Sequence, residues 1–182
     1  PTEYLETYYP LMVDYYRTGI DSGGAGLFRG GNCNEKMYTC LVDGVVSVLD
    51  DRAKIQPWGI NGGEPGSTSY KTLIKKDGTK IPIESKVDNI KVEKGDKIVV
   101  VTAGSGGWGD PLERDAEKVR LDVLRGFVSK EKAYKSYGVV LTDENEVDIE
   151  KTEELRAKIR AERGELPSFN FGERDKVLQK NK

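Results

Sequence analysis

The chain has 182 residues, a formal net charge of -2, 33% charged and 36% hydrophobic residues, the composition of a globular domain able to bury a core of ordinary size. A balance of 29 basic against 31 acidic residues gives no reason to expect nucleic acid or an anionic membrane as partner, and no run approaches the roughly 20 apolar residues of a membrane span. There is no histidine, which excludes a histidine-dependent triad and the usual histidine-containing zinc sites within these residues.

In chain order, Pro1 to Tyr4 shows no signal-peptide pattern and no initiator Met, so the chain reads as processed or as a piece of a longer one. Glu3 to Tyr9 form a short lead-in, and Leu11 to Arg17 an apolar and aromatic strand. Cys33 and Cys40 fit neither a disulfide framework nor a CxxC metal spacing and read as free thiols. Met37 to Asp50 carries two strands about Asp43-Gly44, a hairpin signal. A second hairpin joins Lys71–Lys75 to Thr79–Ile83 through Asp77-Gly78, and strands Val87–Val92 and Lys97–Thr102 flank the turn Glu93 to Asp96. Val119, Val123 and Leu124 lie at helical spacing before Gly126; Ser129 caps a helix ending near Tyr137-Gly138, and Val139 to Leu141 return as a short strand or packed segment. Asp148 caps a helix over 149–163 with a narrow stripe of Ile149, Leu155 and Ile159. Leu166 to Gly172 ends it and presents two aromatics, and the last ten residues read as a frayed charged tail. The fold class expected is α+β: a β-rich antiparallel sandwich or distorted barrel over residues 1–111, a helical segment over 112–141, and a charged C-terminal extension over 142–182 with one amphipathic helix.

The glycines concentrate in three loops: Asp21 to Gly31, Pro57 to Gly66 and Ala103 to Pro111. Such loops bring backbone close to a ligand or another chain, and their N–H groups can form an anion nest. None ends in the Gly-Lys-Ser/Thr of a P-loop; Gly104 to Gly109 fits a loose GxGxxG, but without a βαβ unit around it. The candidates for a substrate-lining or interface role are Asp21, Ser22, Gly23, Gly24, Arg29, Arg52, Trp58, Gly104, Gly106, Gly107, Trp108 and Asp110. Arg29 and Arg52 can each grip a carboxylate or phosphate bidentately, or brace an internal aspartate. Trp58 and Trp108 beside glycine are loop anchors or substrate platforms. Ser22, Ser105 and Cys33 have no histidine to activate them, and Ser85 and Lys86, adjacent on a strand, point to opposite faces. No catalytic residue and no metal ligand is assigned.

Together these motifs resemble those of the hydantoinase B/oxoprolinase family. Asp21 to Gly26 with Phe28 to Gly31 is similar to its DSGGAGxxRGG segment. Asp51-Arg52, then Pro57-Trp58-Gly59 with Gly62 to Gly66, then Gly104 to Pro111 follow in the family's order, as do Arg114-Asp115, Asp122-Val123, Val128-Ser129 and Tyr137-Gly138-Val139. The resemblance runs over residues 1–141. It implies the C-terminal portion of a B-type subunit of an ATP-dependent cyclic-amide hydrolase, of hydantoinase or 5-oxoprolinase type, or of a related ketone carboxylase. It also implies that the isolated chain is inactive, and that its partners are the upstream part of the same subunit and an A-type ATPase subunit, in a cytoplasmic hetero-oligomer. ATP with magnesium and a metal ion would bind elsewhere in that complex and no cofactor in this chain. Asn32-Cys33-Asn34 departs from the family, which continues there with glycine and apolar residues.

Overall fold

The computed structural model describes residues 1–179. Its elements in chain order are α1 (Thr2–Tyr8), β1 (Leu11–Thr18), β2 (Asn34–Cys40), β3 (Gly44–Leu49), β4 (Gly59–Ile60), β5 (Tyr70–Ile74), β6 (Lys80–Ile83), β7 (Lys86–Val92), β8 (Lys97–Val101), α2 (Ala116–Leu124), α3 (Lys130–Tyr137), α4 (Ile149–Arg163), β9 (Phe169–Asn170) and α5 (Arg174–Gln179). A 3-10 turn, Pro111–Glu113, leads into α2.

The main sheet is antiparallel, five-stranded and open, in the order β1-β2-β8-β5-β6. Period-2 alternation decides its faces. Tyr38 pairs with Ile98, and Ile98 with Leu73, so these side chains share one face. The separate β3–β7 ribbon lies across that face, and Cys40, Leu73, Val92 and Ile98 are buried between the layers. The α+β class with an antiparallel sheet stands; the sheet does not close into a barrel.

The Met37–Asp50 hairpin does not form. β2 already has β1 on one edge and β8 on the other, so β3 finds no free edge there and pairs with β7 instead. The turn at Glu93 to Asp96 is present, with the Asp96 N–H donating to the Glu93 carbonyl at 2.9 Å, but it hands the chain from the ribbon to the sheet. The β5–β6 hairpin forms as expected.

A second core joins α2 and α3 to the glycine-rich loops. Val119, Val128, Ala133, Tyr137 and Val139 pack against Ala25. The caps are those the sequence marks: Ser129 Oγ accepts from the Lys132 N–H at 3.0 Å, Asp148 Oδ1 from the Lys151 N–H at 3.1 Å, and Gly138 ends α3 in the left-handed region at φ 59°. Two findings correct the reading of the C-terminal extension. Residues 174–179 are helical and not frayed, Lys180 to Lys182 lying outside the described residues. Phe169-Asn170 runs back as a strand against Gly59-Ile60, tying the extension to the second glycine loop.

Candidate functional site

The three glycine-rich loops, far apart in sequence, lie side by side and bond backbone to backbone. The Gly24 N–H donates to the Ser105 carbonyl at 2.8 Å, Glu64 to Ala25 at 2.7 Å, Gly107 to Glu64 at 2.9 Å, and Ile60 to Gly107 at 3.0 Å. Glycine is demanded by space. A Cβ on Gly106 would overlap the Trp58 carbonyl, and one on Gly24 the Glu64 carbonyl, the same restriction that keeps glycine at the axis of collagen. Gly23 and Gly104 complete the stack, the latter against the Ser22 carbonyl.

Side chains appear only where the stack meets its rim. Phe28 and Trp108 form an antiparallel bridge, each N–H donating to the other's carbonyl at 3.0 Å. Trp108 bridges Ile60 in parallel, and Ile60 pairs with Phe169. Residues directly opposite on neighbouring strands project to one face, so Phe28, Trp108, Ile60 and Phe169 form a continuous apolar strip. It is open to solvent: Phe28 is 62% exposed, Phe169 54% and Trp108 45%. Next to it Trp58 lies 6.0 Å from Phe171, which stacks on Phe169. The Arg52 guanidinium sits over the Trp58 ring at 4.7 Å. Arg52 has φ 65°, a left-handed conformation that costs a non-glycine residue about 1–3 kcal/mol. No carboxylate among the described residues forms an ion pair with it.

The remaining candidates fasten the stack to the helices. Arg29 Nε lies 3.3 Å from Asp122 Oδ2, and Arg114 Nη2 2.9 Å from the same oxygen. Arg29 also donates to the Gly30 carbonyl at 2.8 Å and to Asn32 Oδ1 at 3.1 Å, while Asn32 Nδ2 reaches the Phe127 carbonyl at 2.8 Å. Asn32 thus extends this brace to the segment before α3. Asp21 Oδ1 accepts from the Ser129 N–H at 2.7 Å. The Ser22 hydroxyl donates to the Gly19 carbonyl at 2.6 Å and accepts from the Cys33 N–H at 2.8 Å. Lys132 Nζ caps the carbonyls of Asp21 and Gly23 at 2.8 and 2.9 Å. Asp110 accepts from the Leu112 N–H at 2.8 Å and from Arg163 Nη1 at 2.7 Å. Tyr137 is fully buried behind this network, and burial pushes its phenol well above the ordinary value.

The N–H groups of Ser105, Gly107, Trp108 and Gly109 donate to carbonyls within the stack and that of Gly104 to the Ser67 carbonyl at 3.2 Å, so most of the GxGxxG-like stretch is already engaged. Among the described residues no group of three or more Asp, Glu or Cys side chains is placed to hold a metal ion. The sequence marks Phe169 and Phe171 only as two aromatics after α4 and Phe28 only within a motif; that they share a rim with Ile60 and Trp108 is not legible, because pairing between distant loops leaves no local pattern. Sequence reasoning missed Asp122 as an anchor, although an acid three residues after Val119, on the apolar face of α2, is a readable sign of a buried ion pair.

Comparison with known proteins agrees with this architecture. The B-type subunit of a putative D-/L-hydantoinase from a Pseudomonas strain is 39% identical over 157 residues, 86% of this chain and 26% of that protein. The crystal structure of the ATP-dependent caprolactamase from Pseudomonas jessenii superposes with a TM-score of 0.70 at 29% identity, over 86% of this chain and 28% of that one. A nucleotide-free acetone carboxylase shares the fold, with a TM-score of 0.69 at 21% identity over 92% of this chain and 27% of that one. The chain thus spans about a quarter of the length of these relatives. No helix among the described residues is long and apolar enough to cross a membrane. The hydantoinase B/oxoprolinase model matches residues 1–111, the span that builds the open sheet and the glycine stack, and the chain belongs to that family.

Proposed function

We propose that this chain forms the C-terminal part of a B-type subunit of an ATP-dependent cyclic-amide hydrolase or related ketone carboxylase, and works only within the assembled complex. The observation that carries the reading is the exposed strip of Phe28, Trp108, Ile60 and Phe169, flanked by Trp58 and Arg52. Tryptophan and arginine dominate the energetics of protein interfaces, and a strip mounted on a backbone-bonded stack is held in place before any partner arrives. The partners under this reading are the rest of the B-type subunit, against which the strip packs, and an A-type ATPase subunit that brings ATP and magnesium. The metal ion and the catalytic groups then belong to those parts, and a cytoplasmic location follows from the need for ATP.

Native mass spectrometry of the protein purified gently from its source, with every accompanying chain sequenced, tests this. A histidine-bearing B-type segment and an ATPase subunit should travel with it, and Trp108→Ser should weaken that association at least tenfold while leaving the melting temperature within a few degrees. Residues 1–182 running alone, or hydrolysing a cyclic amide alone, would sink the reading. The missing histidine and the narrow apolar stripe of α4 favour a second reading, a purely assembling role. Under it, changing Arg29 or Arg52 alters complex formation while turnover by the complex that does form stays unchanged.

A further inference from the structure

A groove of about 390 Å³ runs between the β3–β7 ribbon and the main sheet. Leu11, Val46, Val48, Ile98 and Val100 give it aliphatic walls. One end is polar. Lys71, its side chain 6% exposed, is ion-paired with Asp50, whose side chain is 22% exposed. The Ser69 hydroxyl shares its one proton between Asp50 Oδ2 at 2.5 Å and the Asp51 carbonyl at 2.9 Å, and it accepts from Lys71 Nζ only at 3.5 Å. An ammonium has three N–H donors. One is taken by Asp50, one makes the long contact to Ser69, and the third has no acceptor among the described residues. Asp50 Oδ1 likewise accepts nothing from the described residues.

A buried ammonium with a donor to spare beside a carboxylate with a free oxygen, at the end of an aliphatic channel, selects its occupant by chemistry. An anion meets Asp50 and a cation meets Lys71, so each charged ligand is opposed by one member of the pair. A neutral group that accepts from Lys71 and donates to Asp50 satisfies both. The volume lies at the small end of ligand sites. Burial pulls the Lys71 ammonium below its ordinary value, as expected of a group short of polar partners.

We propose that this groove is a binding site for a short, neutral aliphatic molecule whose head group both accepts and donates a hydrogen bond, an alcohol or a primary amide, held by the Lys71–Asp50 pair. It lies apart from the aromatic rim and does not depend on the complex described above. Isothermal titration calorimetry on the purified protein, in whatever complex it is isolated, with hexan-1-ol, hexanamide and hexanoate as probes, tests it. Hexanol and hexanamide should bind and hexanoate should bind at least tenfold more weakly. Val46→Trp, which fills the groove without touching the ion pair, should abolish binding while the melting temperature stays within a few degrees; Val48→Trp serves if Val46→Trp does not fold. Failure of both neutral probes to bind, hexanoate binding as tightly as hexanamide, or undiminished binding in a folded groove-filled variant would each overturn the site.

Discussion

At Gly106 one added methyl group would collide with the Trp58 carbonyl, a backbone atom that cannot swing aside as a side chain would. Gly44, in the β3 strand, has open space where its Cβ would stand. Gly106→Ala should therefore lower the free energy of unfolding by about 3 kcal/mol, while Gly44→Ala should stay within about 0.5 kcal/mol, both read from urea midpoints. A smaller difference between the two would mean that the stack yields locally. At this scale the glycine motifs were legible in the sequence as motifs, but their purpose was not. Gly23, Gly24, Gly104, Gly106 and Gly107 read as tight packing loops with a ligand cradle as the alternative, and only the carbonyls facing them show how closely they pack. The two tryptophans were conspicuous in the sequence because bulk stands next to glycine; Phe28 and Phe169 lacked that contrast.

Among the elements, the longer helices and strands were legible because each carries its own period and caps, as at Ser129, Gly138 and Asp148, while the short α1, β4, β9 and α5 were not. Pairing was less legible, since the Asp43-Gly44 signal cannot report that both edges of β2 are already occupied. The docking of α4 is another relation that local pattern does not carry. Its apolar stripe is narrow, and arginines hold it: Arg156 Nη2 donates to the Arg114 carbonyl at 2.7 Å, Arg156 Nε to the Tyr137 carbonyl at 3.1 Å, and Arg163 pairs with Asp110. Burial pushes the Asp110 carboxyl up, but the Arg163 guanidinium and the Leu112 N–H outweigh it and hold the group below its ordinary value. A carboxyl depressed in the folded state contributes stability that is full above the unfolded value, near pH 4, and is lost as pH falls through the folded one. Amide hydrogen exchange in α4 should accelerate below about pH 4. Arg163→Ala should remove that pH dependence and cost about 2 kcal/mol at pH 7. Exchange in α4 that ignores acid would show that the pair does not anchor the helix.

Over the whole molecule, Asp122 is the point at which the first glycine loop, the segment after the third loop and α2 converge, since its carboxylate serves both Arg29 and Arg114. Asp122→Asn leaves two largely buried guanidinium groups facing a neutral amide, and should cost about 3–5 kcal/mol. Because those residues join sheet, loops and helices, the variant should still melt in one transition at a lower temperature; two resolved calorimetric transitions would show that the β region and the helices are separable. The stack they enclose has a thermal consequence. Its cohesion comes from peptide groups bonded to peptide groups, with little hydrocarbon taken out of water. Apolar burial is what gives unfolding its large heat capacity and weakens attraction in the cold. A stack almost free of side chains largely escapes that weakening, so on cooling the layers beneath the β3–β7 ribbon lose cohesion first, while the platform bearing the aromatic strip keeps its shape.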